Sequence, residues 1–474
     1  MLFPTVEYAV FFLLILLLAW GNADRPLRHK CVLLFGSYFF YGFWDARFIP
    51  LLFGLSTFAW LMARGIHASR VPHQRRNFLV LGIGGCLLVL FAFKYVAFFG
   101  LALADILALC GIAVAPQLPS IVLPLGISFM VFHAISLLMD VYRGKLDRPG
   151  PLVDALLYVA FFPQLIAGPI LRASSFLPQL RSVPDPKRIP VSRGLLWILL
   201  GLFKKVVLAN ALATELVDDV FAAPGQASSM HVLLAVYGYA VQIYCDFSGY
   251  SDIATGCALL LGYRFPANFA NPYAATNPRE FWQRWHISLS SWLRDYLYIP
   301  LGGSRQGPWR TSRNLMITML LCGLWHGAAW TFVVWGGLHG LMLIVHRLWE
   351  AHPAVRQAPW RQGLVWRWSS RLLLFHAVCL GWILFRAGEF DLAWSVLGRI
   401  FSGAGPLLDV RLSLLLALGV GLGMQYLPRR GAVRLEQGLR HLPPLVQGAL
   451  AAAALLVIEV LGPTGVAPFI YFQF

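Results

Sequence analysis

Charge is what this sequence has least of. Aspartate, glutamate, lysine and arginine make up 12% of its 474 residues, where a soluble domain carries roughly 25%. A chain so poor in charge cannot cover a water-facing surface, which excludes a soluble multidomain protein. Acid is scarcer still than base, 21 residues against 38, for a net charge of +17. On a soluble protein that excess would point to nucleic acid. Here it reads as the basic bias of cytoplasmic loops between membrane spans, and no nucleic-acid partner is expected. Paired cysteines are also missing. Cys31, Cys86, Cys110, Cys245, Cys257, Cys322 and Cys379 stand singly in apolar segments, so neither a disulfide framework nor a zinc site is signalled; they read as small buried hydrophobes. There is no GxSxG elbow, no phosphate-binding GxxxxGK loop and no histidine followed five positions later by aspartate, which removes the common soluble hydrolase, nucleotidase and acyltransferase arrangements. No internal repeat of the kind that marks many transporters is visible.

What is abundant is apolar: 58% of the chain, with a mean hydropathy of +0.67. A spanning helix needs about 20 such residues. Candidates lie at 3–20, 31–44, 48–62, 78–96, 121–142, 152–170, 195–212, 232–245, 315–345, 372–385, 412–426 and 449–466. Together they predict an all-α polytopic membrane protein with about 11 transmembrane helices, the shorter segments being tilted, part-way or cavity-lining. The first run follows Glu7 instead of a basic region and meets no small-residue cleavage site, so it reads as a retained span and not a signal peptide. No soluble domain interrupts the chain. The expected organisation is one integral-membrane domain over 1–474, with N-terminal hairpins in 1–115, a core over about 120–350 and C-terminal spans in 371–474. Three short loops are basic: Arg25, Arg28 and Lys30; Arg64, Arg70, Arg75 and Arg76; Arg143, Lys145 and Arg148. Their parity predicts an extracytoplasmic N-terminus and cytoplasmic basic loops.

Polar residues concentrate between 244 and 346. This stretch holds DFSGYSD at 246–252, NFANPY at 268–273 and EFWQRWH at 280–286. On one helix over 281–296, Phe281, Trp285, Leu289, Trp292 and Tyr296 would form an apolar stripe suited to an interfacial helix. His286 would point to the apolar side, as a core histidine or as a functional one. The 33 residues of 314–346 would make about 50 Å of straight helix against a hydrocarbon core of about 30 Å. A break or strong tilt is therefore expected, with Gly327 and Gly336–Gly337 as the natural break points. His326 would then lie about 18 Å in from Asn314, near the midplane, where an ionisable group is functional by default. A neutral imidazole there could act as a general base toward a hydroxyl attacking an acyl thioester, or as a relay in a transporter or channel pathway. Metal ligation is not expected: His326, His339 and His346 lack HxxxH spacing, and His339 and His346 read as packing or interfacial residues. Lys204 and Lys205, inside an apolar run, read as snorkelling to lipid headgroups, with contact to an anionic donor phosphate as the other reading.

These residues resemble the membrane-bound O-acyltransferase (MBOAT) family. The likeness is carried by Trp325-His-Gly327, QIYCDFSGYSDIA at 242–254, FWQRWHISLS at 281–290, WLRDYLYIPLGG at 292–303, PLGISF at 124–129, FPQLIAGP at 162–169 and GLFKKVV at 201–207. It is strongest to the bacterial branch that acetylates alginate and D-alanylates teichoic acid. The resemblance implies a ring of helices, with re-entrant and interfacial pieces, around a central funnel and tunnel. It also implies catalytic roles for His326 and His286. The implied donor is a cytoplasmic acyl thioester such as acetyl-CoA or a carrier-protein thioester, with no bound cofactor. Its acyl group would cross the bacterial inner membrane toward an exported polysaccharide such as alginate, with an extracytoplasmic acyltransferase or esterase-like partner and the polysaccharide synthesis complex. Teichoic acid or peptidoglycan is the alternative acceptor. Candidate donor- and substrate-binding residues are Asp246, Ser248, Asp252, Asn271, Trp282, Arg279, Arg284 and Trp325. The arginines Arg279, Arg284, Arg294 and Arg305 could instead contact membrane lipid headgroups. His133 stands where the branch usually has Gln, and Asn210 where it often has Asp.

Overall fold

The computed structural model describes residues 1–474 except 2, 114–115, 117–120, 404, 406–409, 464, 466–468 and 471–474, with backbone only at 356, 429–430 and 432–433. Every regular element among the described residues is helical. Six stretches are long and apolar enough to cross a membrane: Pro26–Ala68, Pro72–Leu109, Val191–Ala222, Trp330–Ala351, Leu364–Ala387 and Pro444–Leu461. Val6–Trp20, Ile127–Tyr142 and Leu412–Tyr426 are shorter apolar helices. Leucine, valine and phenylalanine cover the outer faces of these helices, with Leu13, Leu17, Phe35, Leu373 and Val460 all exposed. That pattern suits lipid and not water.

The chain divides into two compact units. The first comprises Met1–Val191 and Cys257–Phe265. Its early helices are tied by polar groups that have no other place to go. Buried His29 bonds the Ala19 carbonyl through Nδ1 at 2.8 Å, and Lys30 reaches Asp154 at 2.6 Å. The expected span at 152–170 is not one helix. Leu152–Ala160 ends at Phe161, and a short turn Phe162–Leu165 follows. Proline at 163 suits the first turn of a new helix but not the interior of an old one. Gly126 takes φ +71°, and a Cβ there would press on the Leu165 carbonyl, so only glycine lets these two backbones meet before helix Ile127–Tyr142 begins.

The second unit comprises Ser192–Gly256 and Pro266–Phe474. Its backbone is the long helix Ser229–Leu260 as far as Gly256, which carries the DFSGYSD run expected to follow a shorter span. Val191–Leu202 lies directly against it. A side chain on Gly201 would meet the Gly249 carbonyl, and one on Gly256 the Gly194 carbonyl. Glycines seven apart on both helices thus bring the backbones into contact, as small residues do in membrane helix pairs. Just beyond, Phe203–Ala209 loosens into a π-helical turn that carries Lys204 and Lys205.

A candidate active site of histidines in an aromatic shell

Helix Pro308–His326 ends on His326. Extended Gly327 reverses the chain, and Trp330–Ala351 packs back along the first arm. The expected break therefore falls at Gly327 and not at Gly336–Gly337, which lie within a continuous helix. Gly336 has another task. A methyl group on it would run into the Met319 carbonyl, and one on Gly323 into the Phe332 carbonyl, so this glycine pair lets the two arms touch. His326 consequently stands at the tip of a helical hairpin, 4% exposed. Its walls are rings: Trp325 at 4.8 Å, Trp335 at 5.0 Å and Phe385 at 5.3 Å between centroids.

His286 is reached by a different local route. The expected single helix over 281–296 is two, Pro278–Arg284 and Ile287–Leu293, followed by a π-helical turn at Arg294–Tyr298. The chain breaks at His286 itself, whose φ is +41°. A left-handed non-glycine residue costs on the order of 1–3 kcal/mol and persists only where its surroundings hold it. The stripe Phe281, Trp285, Leu289, Trp292 and Tyr296 is buried inside the protein, so it builds core instead of floating a helix at the interface.

Asn268 supplies the hold. Its Oδ1 accepts from the Ser288 N–H at 3.2 Å and the Ser288 hydroxyl at 2.8 Å, and lies 3.1 Å from His286 Nδ1. Its Nδ2 donates to the Ser251 hydroxyl at 3.0 Å. A backbone N–H can only donate, which fixes the amide orientation. Oδ1 can only accept, so Nδ1 of a neutral His286 carries the proton and Nε2 is the basic nitrogen. Nε2 has no hydrogen-bond partner among the described residues. Trp325 links the two candidates, its ring 6.1 Å from His286 and 4.8 Å from His326. Phe247 closes the other side of His286 at 4.6 Å.

The remaining candidates fall into three groups. Asp246 is buried and Asp252 nearly so, and both are paired, Asp246 with Lys205 at 2.7 Å and Asp252 with Lys204 at 2.5 Å. The lysines therefore do not snorkel, because carboxylates one helix away meet them inside the protein. Asp246 also accepts from the Ile470 N–H at 2.9 Å. Ser248 shares this layer, fully buried. Trp282 lies apart from the His286–His326 link, against His339 at 5.1 Å. Toward the surface, Arg284 pairs with Glu280 and donates to the Asn271 carbonyl at 3.3 Å. Burial alone would raise the Glu280 pKa, but the Thr276 N–H and hydroxyl and Arg284 outweigh it and hold the carboxyl below its ordinary range. Arg279 and Arg305 are exposed, and Arg294 pairs with Asp295. His133 belongs to the first unit, where its Nε2 accepts from the Leu171 N–H at 3.1 Å. Asn210 is buried in the second. Among the described residues no three His, Cys, Asp or Glu side chains are grouped to hold a metal.

Two residues were not singled out by sequence. Asn268 orients His286, and the signal was the first amide of the NFANPY run, eighteen residues ahead. His339, read as a packing residue, is fully buried with Phe281, Trp282 and Trp335 around it.

Residues 145–385, which carry both histidines, match the family model of the membrane-bound O-acyltransferases. The chain is 41% identical to a probable alginate O-acetylase of Azotobacter vinelandii, over 80% of this chain and 74% of the relative. It is 36% identical to a peptidoglycan O-acetyltransferase of Helicobacter pylori, over 79% and 74%. It is 28% identical to a teichoic acid D-alanyltransferase of Bacillus subtilis, over 56% and 69%. With a multi-pass helical fold and this breadth of likeness, the chain belongs to the membrane-bound O-acyltransferase family and is an O-acyltransferase.

Proposed function

We propose that the chain transfers an acetyl group from a cytoplasmic thioester, acetyl-CoA or a carrier-protein thioester, across the bacterial inner membrane toward an exported polysaccharide such as alginate. The N-terminus is extracytoplasmic in this reading, and an extracytoplasmic acyltransferase or esterase-like partner with the polysaccharide synthesis complex completes the transfer. The observation that carries it is His326 at the hairpin tip, joined to His286 through one shared indole. An imidazole nitrogen of His326 takes the proton from an acceptor hydroxyl. The freed oxygen attacks the thioester carbonyl, the C–S bond breaks, and the thiolate leaves as the thiol after regaining a proton. His286, with Nδ1 committed to Asn268, presents Nε2 as a second polar contact for the reacting groups. Desolvated walls of Trp325, Trp335 and Phe385 keep competing water from the thioester.

His326→Ala tests the reading. General-base catalysis is worth about 10²–10⁴ in rate, so polymer acetylation should fall by that order while the protein still inserts and is recovered at wild-type level. Full acetylation in the variant would remove His326 from the chemistry. A second acceptor, peptidoglycan, is favoured by the Helicobacter relative, which covers 79% of the chain against 80% for the Azotobacter alginate relative. Release of acetate by mild alkali from isolated cell wall, against its release from exopolysaccharide, separates the two.

A further inference from the structure

Arg284 is a donor-contact candidate by sequence, yet its guanidinium is engaged within the protein. One Nη donates to the Asn271 carbonyl at 3.3 Å, and the other meets the Glu280 carboxylate. The main-chain carbonyl of Arg284 accepts from the Ala270 N–H at 2.9 Å, and that of Asn268 accepts from the Ile287 N–H at 2.8 Å. Segments 268–271 and 284–287 therefore run side by side in opposite directions. Arg284 fastens one end of the pair, and Asn268, with its amide on His286 and Ser288, fastens the other.

Both segments carry strain. Among the described residues, the non-glycine positions with left-handed backbone are Asn271, at φ +55°, and His286, at φ +41°, one in each segment. Such a conformation persists only where its surroundings hold it. Asn271 is held through its carbonyl by Arg284, while its own amide lies a long 3.5 Å from the Leu427 carbonyl. Glu280 anchors the guanidinium in turn. Its carboxylate accepts from the Thr276 N–H at 2.7 Å and the Thr276 hydroxyl at 2.8 Å, so both ends of loop 271–276 close on one side chain. A planar fork can serve two such acceptors at once, and a lysine ammonium lacks it. We propose that Arg284 is a positioning residue: by fastening Asn271 it keeps Asn268 against His286, and so holds the proton of that histidine on Nδ1. Without the clamp, Asn271 relaxes to a commoner backbone conformation and segment 268–271 shifts. Asn268 Oδ1 then leaves His286, and the proton is free to sit on either ring nitrogen. The place of Arg284 in acyl transfer rests on the role of His286 proposed above; its effect on the tautomer does not.

The test reads the proton itself. Solid-state NMR of the full-length protein in liposomes, with ring-labelled histidine, distinguishes a protonated from a bare Nδ1. The wild-type minus His286→Gln difference isolates one of the 12 histidines and should show the Nδ1–H form alone. Arg284→Gln should show both tautomers, as should Asn268→Leu, and joining the two substitutions should add nothing. Arg284→Lys, which keeps the charge opposite Glu280 but not the fork, should lie between wild type and Arg284→Gln. Steady-state turnover with acetyl-CoA as the donor is the second readout. Arg284→Gln should lower kcat about 10-fold, a share of what acid–base catalysis is worth, with the donor KM unchanged. A wild type lacking the Nδ1–H form, or Arg284→Gln retaining it alone, would overturn the inference. So would a raised donor KM at constant kcat, which makes the arginine a donor contact. Mixed tautomers with unaltered kcat sustain the clamp and count instead against His286 in the chemistry. Should Arg284→Gln fail to fold, the wild-type minus Arg284→Lys difference decides alone.

Discussion

Two regions of the second unit treat buried polarity in opposite ways. Between the π-helical turn Phe203–Ala209 and helix Ser229–Leu260, full charges are cancelled in pairs, Lys204 by Asp252 and Lys205 by Asp246, with the Ile470 N–H added to the second carboxylate. Around the hairpin tip the polar groups are neutral rings wrapped in other rings, and several of their nitrogens, His286 Nε2 among them, are not consumed by the fold. The first arrangement satisfies every charge and leaves none over for a reactant. The second keeps basic nitrogens in an apolar shell, where a proton acceptor is useful. Charge density alone points to the first of these regions, the buried histidines to the second.

The comparison can be broken at graded cost. Removing one partner of a buried ion pair strands the other, so Lys205→Met should destabilise the protein by about 3–5 kcal/mol. Lys205→Met with Asp246→Leu should recover most of that loss, because the stranded carboxylate is gone. Unfolding in detergent measures both, and a single variant as stable as wild type would put the pair outside the stabilising core. In the aromatic region, Asn268→Leu should act on turnover before stability. It releases the His286 tautomer and should cut kcat up to about 100-fold, a share of what acid–base catalysis is worth. Loss of the Asn268 contacts to the Ser251 and Ser288 hydroxyls adds about 1–3 kcal/mol of destabilisation. Equal kcat in that variant would leave His286 as packing. Smallest is the half-exposed Glu280–Arg284 pair, where Glu280→Gln should cost no more than about 1 kcal/mol. The folded carboxyl is held below its ordinary range. Its contribution is therefore complete above an unfolded pKa of about 4.3 and is lost as pH falls through the folded value. Thermal melts of the two proteins should converge in acid.

Much of this was legible in the sequence because membranes constrain composition so strongly. The helical fold, the helices near 31–44, 48–62, 372–385 and 412–426, and the break at Gly327 follow from apolar run length and glycine placement. The misread elements share one cause, contacts between residues far apart in sequence. Nothing near Lys204 announces that Asp252 will face it, so a lysine in an apolar run looks like one reaching for headgroups. The helix over 281–296 has a sound period, but Asn268 captures Ser288 and His286 and turns the chain there. Likewise Gly336 resembles a hinge until Met319 and Phe332 are placed against it. His339, read as a packing or interfacial residue, is buried against Phe281, Trp282 and Trp335, partners that its spacing from His326 and His346 does not announce.

The lysine–aspartate layer has a consequence for how the protein is made. Lys205 emerges from the ribosome 41 residues before Asp246, an interval of roughly 2–8 s at typical rates of synthesis. For that interval two lysines near the middle of Val191–Ala222 enter the bilayer with no counter-ion, each at a cost of about 2.5–3.5 kcal/mol. The flanking residues, with a hydropathy of 1.8 over the best window, must carry them in. Insertion of this segment should therefore be the step most sensitive to a further polar substitution, and helix Ser229–Leu260 the one whose arrival secures it.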